Sequence, residues 1–257
     1  MFELTIEDKE TFKELGYIKK NQLVNNEEFI NCMVDFRHDL QDAIKTQNLK
    51  LLGGYKAGNL NINIGKYGPI ILKQLKSLNF EKYFNFITED NISNYKILYG
   101  GNLNLFNSKL QLFHTDGKWN PRMIIVNIAS MDITSKNGPI ELIENSHNIN
   151  LPYWRFLIKS LSLKKKKINL NKGELLIREH RLWHRGTTNL SGENREMLGI
   201  MLLKSDKIGT TSNQYSDKVN LFSNMFDKSF KGKLKEYVFV NFKFVIAIYQ
   251  VLLSILK

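Results

Sequence analysis

The sequence predicts a mainly β protein with α-helices: a sandwich or barrel of short strands, behind a helical N-terminal third and ahead of a C-terminal helix. Three patterns predict it. From Tyr95 onward, short alternating runs separated by Gly, Asn and Pro recur at 95–99, 103–106, 110–114, 122–128, 139–143, 174–178 and 196–203, the rhythm of strands in a sandwich or barrel. Before Tyr95 the apolar residues instead return every three to four positions, the period of a helix. After residue 227 a lysine-rich stretch leads into 237–256, the most apolar segment of the chain.

Composition bounds the rest. The 257 residues are enough for one large domain or two small ones, and 42% hydrophobic with 24% charged residues is the balance of a folded globular protein. The single Cys32 excludes an internal disulfide framework and a Cys-rich zinc site, so a reducing, cytoplasmic setting is expected. The start, Met1-Phe2-Glu3-Leu4-Thr5-Ile6-Glu7-Asp8, is acidic and lacks a long apolar core, so no cleavable signal is expected. A net charge of +12 admits nucleic acid, anionic lipid or acidic metabolites as partners. With no zinc-finger spacing and no aromatic RNA-binding signature, nucleic acid is not the expected partner.

The helical third begins with 6–18, where Ile6, Phe12, Leu15 and Tyr17 lie among charges and Gly16 marks an end: an entry helix. Over 26–52 the residues Phe29, Cys32, Met33, Phe36, Leu40 and Ile44 fall on one face of a long helix, with His38 at its surface. Gly53-Gly54 and Gly58 break the chain, 65–69 forms a turn, and 70–78 is helical again. The stretches Gly58-Asn59-Leu60-Asn61-Ile62 and Gly101-Asn102-Leu103-Asn104-Leu105 echo one another. Both read as turn-then-strand segments whose Asn side chains either line a polar cavity or face water, the solvent-facing reading being preferred for each Asn singly.

A single domain over 1–227 is expected, with helical support at about 1–94 and a β core at about 95–205. An amphipathic insertion at 151–163 interrupts the strands, and Lys164-Lys165-Lys166-Lys167 after it reads as a solvated loop. Over 228–257 a basic segment runs into an apolar helix on which Glu236, Lys243, Ala247, Gln250, Ser254 and Lys257 form one narrow stripe. Such a helix suits a membrane interface, with Lys228, Lys231, Lys233 and Lys235 meeting anionic head groups on the inner face of a membrane. The alternatives are a helix packed on the barrel or in a dimer contact and, third, a transmembrane span. Nothing in the sequence fixes the oligomeric state.

The chemistry centres on Gln111-Leu112-Phe113-His114-Thr115-Asp116-Gly117. On a strand, side chains alternate between faces, so His114 and Asp116 point one way and Thr115 the other. One strand thereby offers two metal ligands. A third from elsewhere would complete two histidines and a carboxylate on one face of an iron ion, leaving positions open for cosubstrate and oxygen. The run from Gly173 to Gly186 offers two candidates, His180 and His184, which strand periodicity does not separate. Eleven residues beyond His184, Arg195 opens an apolar run and could project from the adjacent antiparallel strand into the same cavity. Its guanidinium fork suits a dicarboxylate.

From Phe113 to Leu203 the chain resembles the phytanoyl-CoA dioxygenase family of iron(II)- and 2-oxoglutarate-dependent oxygenases. The residues that carry the resemblance are His114-Thr115-Asp116, the block from Asn137-Gly138-Pro139 to Ser146-His147, the block from Gly173-Glu174 to Trp183-His184-Arg185-Gly186, and Arg195. It implies a double-stranded β-helix core, jelly-roll or cupin-like, with N-terminal supporting helices and a C-terminal helix. It implies Fe(II) bound by the catalytic set His114, Asp116 and His184, which favours His184 over His180. It also implies 2-oxoglutarate and O2 as cosubstrates, with Arg195 gripping the distal carboxylate. Asn127 is a candidate for assisting the cosubstrate, with a plain strand position as the alternative; His147 takes a structural role. One departure is Glu144-Asn145, where Pro-Gly is usual.

The implied reaction is hydroxylation of a C–H bond with release of succinate and CO2. Related halogenases resemble this site with a small residue in place of the carboxylate, so Asp116 favours hydroxylation. The expected substrate is a small molecule or a lipid- or glycan-linked one. A non-catalytic sugar- or acyl-binding barrel and a membrane-associated scaffold are the competing expectations.

Overall fold

A computed structural model describes residues 1–205 and 217–256. Lys257, the last residue of the C-terminal stripe, lies outside them. In chain order the elements are α1 (Ile6–Leu15), β1 (Tyr17–Lys20), α2 (Glu27–Thr46), β2 (Asn59–Asn63), α3 (Tyr67–Ser77), α4 (Phe80–Thr88), β3 (Tyr95–Asn104), β4 (Met123–Ile128) and β5 (Ile140–Ile143). They continue with α5 (Tyr153–Lys159), β6 (Lys165–Ile168), β7 (Leu175–Glu179), β8 (His184–Gly186), β9 (Arg195–Lys204), β10 (Asn220–Phe222), α6 (Phe230–Asn241) and α7 (Lys243–Ile255).

The helices start and stop where side chains satisfy their free backbone groups. Thr5 Oγ1 accepts from Asp8 N at the start of α1, and Asn26 Oδ1 accepts from Phe29 N at 2.8 Å at the start of α2. Gly16, at φ 79°, ends α1 in the left-handed conformation that suits glycine.

All strands pair antiparallel, in a seven-stranded sheet of order β1-β7-β4-β9-β3-β2-β10 and a three-stranded sheet of order β6-β5-β8. Alternation gives the large sheet two different faces. Leu60, Leu103, Val126, Ile177, Leu198 and Ile200 share one core with Phe29, Phe36, Tyr67, Phe80 and Phe84 of the helices. Tyr17, Leu176 and Met197 face the other way, onto Ile140, Leu142 and Leu182 of the small sheet and its loops. Two antiparallel sheets facing each other, with helices behind one, form the double-stranded β-helix, the mainly β fold with supporting helices that the sequence implies.

Several local expectations change. Residues 17–20 continue the sheet rather than α1, because Gly16 ends the helix and β1 pairs with β7 in the register Tyr17↔Arg178. The runs 95–99 and 103–106 are one strand, β3. At Gly101 a Cβ would lie 2.8 Å from Met197 O, so a glycine is what lets β3 and β9 approach there. α4 was hidden behind Asn79, whose positive φ of 72° breaks the helical run before Phe80, Tyr83, Phe84 and Ile87 begin a second buried stripe. The run 110–114 is not a strand; His114 makes only an isolated bridge to His184. Lys165–Ile168 is not a solvated loop but strand β6, with Lys164 and Lys166 paired to Glu144.

The two echoing segments are each other's strand partners, Asn61 opposite Asn102 and Asn59 opposite Asn104. Asn102 and Asn104 turn inward, the cavity-lining alternative, rather than to water. Asn104 is fully buried and donates to Thr187 O, and Asn102 accepts from Arg195.

The C-terminal segment is two helices, α6 and α7, bent by 112° at Phe242, and its polar stripe points inward. Buried Glu236 accepts from Ala57 N, Lys243 Nζ donates to Leu110 O, and Ser254 Oγ accepts from Trp154 N. Phe244, Ile248, Tyr249, Leu252 and Ile255 are left exposed. Among the described residues no single helix is long and apolar enough to cross a membrane, although the bent pair reaches that length and composition together.

Candidate metal centre

His114 and His184 come from a loop and from β8, and their backbones bind each other. The N–H of each donates to the carbonyl of the other at 2.9 Å, and the ring centroids lie 4.5 Å apart. Each ring also meets the carbonyl two residues before it, His114 Nδ1 at 2.9 Å from Leu112 O and His184 Nδ1 at 2.8 Å from Leu182 O. A carbonyl can only accept, so the proton is assigned to Nδ1 in both rings and Nε2 keeps its lone pair. That is the second-shell arrangement that orients a metal-binding imidazole.

Both Nε2 atoms turn toward Asp116, at 3.4 Å from Oδ2 for His184 and 4.0 Å from Oδ1 for His114. One donor atom from each of the three residues lies within 4.8 Å of the other two. The expected triad therefore meets, although Asp116 stands in a turn rather than on a strand. Asp116 N donates to His180 O at 3.0 Å, which sets the loop. The ring of His180 faces Met123 O and Lys118 O and takes no part in the cluster.

Electrostatics keep Asp116 and His184 in metal-binding form. Burial raises the Asp116 carboxyl, but His184, Arg178 and His114 outweigh it and hold the group far below the usual carboxylate range. Burial holds the His184 imidazole down at about 3, so it is neutral at ordinary pH. Two imidazoles and one carboxylate, gathered on one side, are the donor set of a facial iron(II) site with open positions.

Arg195 begins β9, and β9 pairs with β3 and β4 in the large sheet. It is therefore not on the strand next to β8, as expected, but on the sheet that faces it. The side chain is buried, donating from Nη2 to Gly138 O at 2.7 Å and from Nη1 to Asn102 Oδ1 at 3.1 Å, while Nε has no partner. Among the described residues no carboxylate reaches it. Burial lowers the guanidinium to about 10, so it remains charged at neutral pH.

Asn127 on β4 is buried and accepts from Arg178 Nε at 3.0 Å. Arg178 is the residue the sequence reading missed: its Nη2 donates to Asp116 Oδ2 at 2.7 Å. Its signal was an arginine inside the apolar run Leu175–Glu179, a strand buried on both faces. His147 takes no part in the cluster; its Nε2 contacts Lys13 O and its ring abuts Gly16. Asn145, at φ 59°, adopts the left-handed turn that glycine usually supplies.

Beside the triad, Phe113, His114, Thr115, Tyr153, Trp183, Gln250, Leu253 and Ser254 line a cavity of about 270 Å³. α7 thus forms one wall. Trp183 stacks on Phe156 at 3.5 Å, which stiffens the opposite side.

Residues 97–197 match the family model described as phytanoyl-CoA dioxygenase (PhyH). No curated protein matches the chain. Among solved structures, the non-heme alpha ketoglutarate dependent carbocyclase SnoK from nogalamycin biosynthesis is 14% identical, covering 86% of this chain and 97% of its own, with a TM-score of 0.56. The epimerase SnoN, in complex with Fe3+, alpha ketoglutarate and nogalamycin RO, is 11% identical over 84% of this chain and 94% of its own, with a TM-score of 0.62. EctD from S. alaskensis, with 2-oxoglutarate and 5-hydroxyectoine, is 13% identical over 80% of this chain and 78% of its own, with a TM-score of 0.60.

Proposed function

We propose that this chain, whose residues 97–197 match the phytanoyl-CoA dioxygenase family model, is an Fe(II)- and 2-oxoglutarate-dependent oxygenase that hydroxylates a C–H bond. His114, Asp116 and His184 hold the iron, and Arg195 grips the distal carboxylate of 2-oxoglutarate. Bound iron(II), with 2-oxoglutarate and O2, supplies an oxidative decarboxylation that releases succinate and CO2 and drives oxidation of the substrate. The observation that carries the reading is the convergence of two free Nε2 lone pairs and one carboxylate.

The chain's own residues prepare that chemistry. The Leu112 and Leu182 carbonyls fix both tautomers, and the paired backbones of His114 and His184 fix the spacing of the rings. Arg195 waits as a desolvated cation without a carboxylate, a state that an incoming dicarboxylate relieves. Asn127 acts indirectly, by holding Arg178 against Asp116. Relatives of this fold are named carbocyclase and epimerase as well as a 5-hydroxyectoine complex. Hydroxylation is supported here by Asp116, whose carboxylate fills the position that a halide would need.

The substrate enters the cavity walled by α7, and a lipid-linked molecule suits that entrance. Of the two segments that supply Tyr153 and the α7 wall, 151–167 contains no acidic residue and 228–256 contains only Glu236, which is buried. The remaining surface is apolar on α7 and basic at Lys228, Lys231, Lys233 and Lys235. Such a face complements an anionic membrane surface. Co-sedimentation with vesicles containing phosphatidylserine should retain the protein, and I248D/L252D should release it. Equal binding to neutral vesicles, or dimer formation that hides α7, would remove this part of the reading.

The reaction itself is tested by succinate formation from 2-oxoglutarate with iron in air. H114A and D116A are expected to abolish it. Turnover persisting in either variant would overturn the assignment.

A further inference from the structure

Arg178 has no role in the reaction proposed above beyond steadying Asp116, yet it places a second guanidinium in the interior. It lies on β7, on the same face of the large sheet as Asn127, Met197 and Arg195, as the registers Arg178↔Ile125, Asn127↔Gly199, Asn102↔Met197 and Asn104↔Arg195 require. The side chain is only 5% exposed. Nη2 meets Asp116 Oδ2 at 2.7 Å and Nε meets Asn127 Oδ1 at 3.0 Å, but Nη1 is buried without a hydrogen-bond partner. Leaving a charged donor desolvated and unpaired is costly, so such a group points to a ligand.

The space next to it is also open. Asn127 is in register with Gly199, and Gly199 with Gly100, so two of these three adjoining positions carry no side chain. A Cβ at Gly199 would meet nothing closer than Gly100 O at 3.6 Å. The interior therefore keeps room beside the Asn127–Arg178 pair.

Charge identifies what belongs there. The interior holds two buried guanidiniums, Arg178 and Arg195, and one carboxylate, Asp116, which pairs with Arg178; among the described residues the nearby acids are engaged elsewhere, Glu141 with Arg185, Glu179 with Arg122 and Glu196 with Arg37. On the reading above, a divalent metal and a dicarboxylate cosubstrate cancel each other's charge. Both ends of that cosubstrate are also taken, one by the metal and one by Arg195. One buried positive charge is left over, and it sits on the side of Asp116.

We propose that Arg178 is a substrate-binding residue, and that the substrate carries an anionic group, a carboxylate or phosphate, which Nη1 receives next to the metal. This inference rests on the proposed function and adds the substrate's chemical class. The bond to Asp116 and the bond to the substrate then come from one planar group, so the anion fixes the substrate relative to the metal-binding carboxylate.

The test uses full-length protein loaded with Zn(II) and 2-oxoglutarate, titrated calorimetrically with acetate and with inorganic phosphate, for wild type, R178K and R178Q. R178K keeps a cation beside Asp116 but loses the guanidinium fork, so it separates the two roles. Expected are measurable binding of at least one anion by wild type, a loss of about 10- to 100-fold in R178K and R178Q, and in R178K a loss of Zn(II) and 2-oxoglutarate affinity clearly smaller than the loss of anion affinity.

An equal fall in 2-oxoglutarate affinity would assign Arg178 to the cosubstrate and overturn the proposal. A fall in Zn(II) affinity in R178K, without any specific loss of anion binding, would reduce Arg178 to a support of Asp116 and overturn it too. Anion binding unchanged in both variants, or absent in wild type, would do the same. If wild type binds Zn(II) but no 2-oxoglutarate, the proposed function itself fails and this inference falls with it.

Discussion

His114 and His184, seventy residues apart in sequence, exchange both backbone hydrogen bonds of an antiparallel pair, N–H to carbonyl at 2.9 Å in each direction. The spacing of the two imidazoles is thus set by main chain and does not depend on either side chain. H114Q and H184Q should accordingly fold with thermal midpoints close to wild type while losing at least about a hundredfold in Fe(II) or Zn(II) affinity, more than a second-shell change costs. Calorimetric metal titration beside a melting curve checks it; collapse of the fold in H114Q would contradict it.

Acid should weaken the metal-free protein through His184. Its folded value of about 3 lies below the ordinary 6.5, so between those values the unfolded chain binds the proton and the folded one does not. Stability therefore rises with pH across this window and is lost as pH falls from about 6.5 toward 3. Asp116 adds to the loss at the acid end, because its folded value is also depressed. Urea unfolding of the metal-free protein from pH 7 to pH 4 should show a decline on the order of a few kcal/mol, shallower in H184Q. An identical slope in H184Q would rule out His184 as the source.

Arg195 offers a contrast between stability and binding. R195M removes bonds to Asn102 and Gly138 but also removes a buried charge that makes no ion pair with a carboxylate among the described residues. The free protein should stay within about 1 kcal/mol of wild type, while 2-oxoglutarate affinity falls by about 100-fold. Chemical denaturation and a 2-oxoglutarate titration of the same sample decide it.

Gly16 and His147 test the structural reading of the remaining histidine. A Cβ at Gly16 would stand 2.4 Å from His147 Nδ1, at a φ of 79°. G16A should cost about 1–3 kcal/mol, and H147A should recover part of that loss in the double variant. Full additivity would show that the two do not interact.

Much of the site was legible because its chemistry is local in sequence. His114 and Asp116 are two residues apart, and the resemblance that chose His184 over His180 rests on residues next to it. The fold class followed from alternation, which the antiparallel sheets obey. What stayed hidden depended on partners distant in the chain. The Asn59–Asn63 and Tyr95–Asn104 strands read as two separate turn-then-strand segments; only their pairing turns Asn104 inward and sets Asn102 as an acceptor for Arg195. Arg178 looked like one charge in an apolar run, and only the approach of the Asp116 turn gives it meaning. The apolar face of α7 was visible, but not that its polar stripe, through Lys243 and Ser254, is what binds the rest of the protein.

The central claim is that His114, Asp116, His184 and Arg195 form one site for iron(II) and 2-oxoglutarate. Its most direct test is anaerobic titration of Fe(II)-loaded protein with 2-oxoglutarate, followed by the visible charge-transfer band of the chelate. A saturable band at one equivalent in wild type is expected, absent in D116A and shifted to much higher 2-oxoglutarate concentration in R195M. Wild type that binds Fe(II) without developing the band, or a D116A variant that develops it unchanged, would contradict the claim.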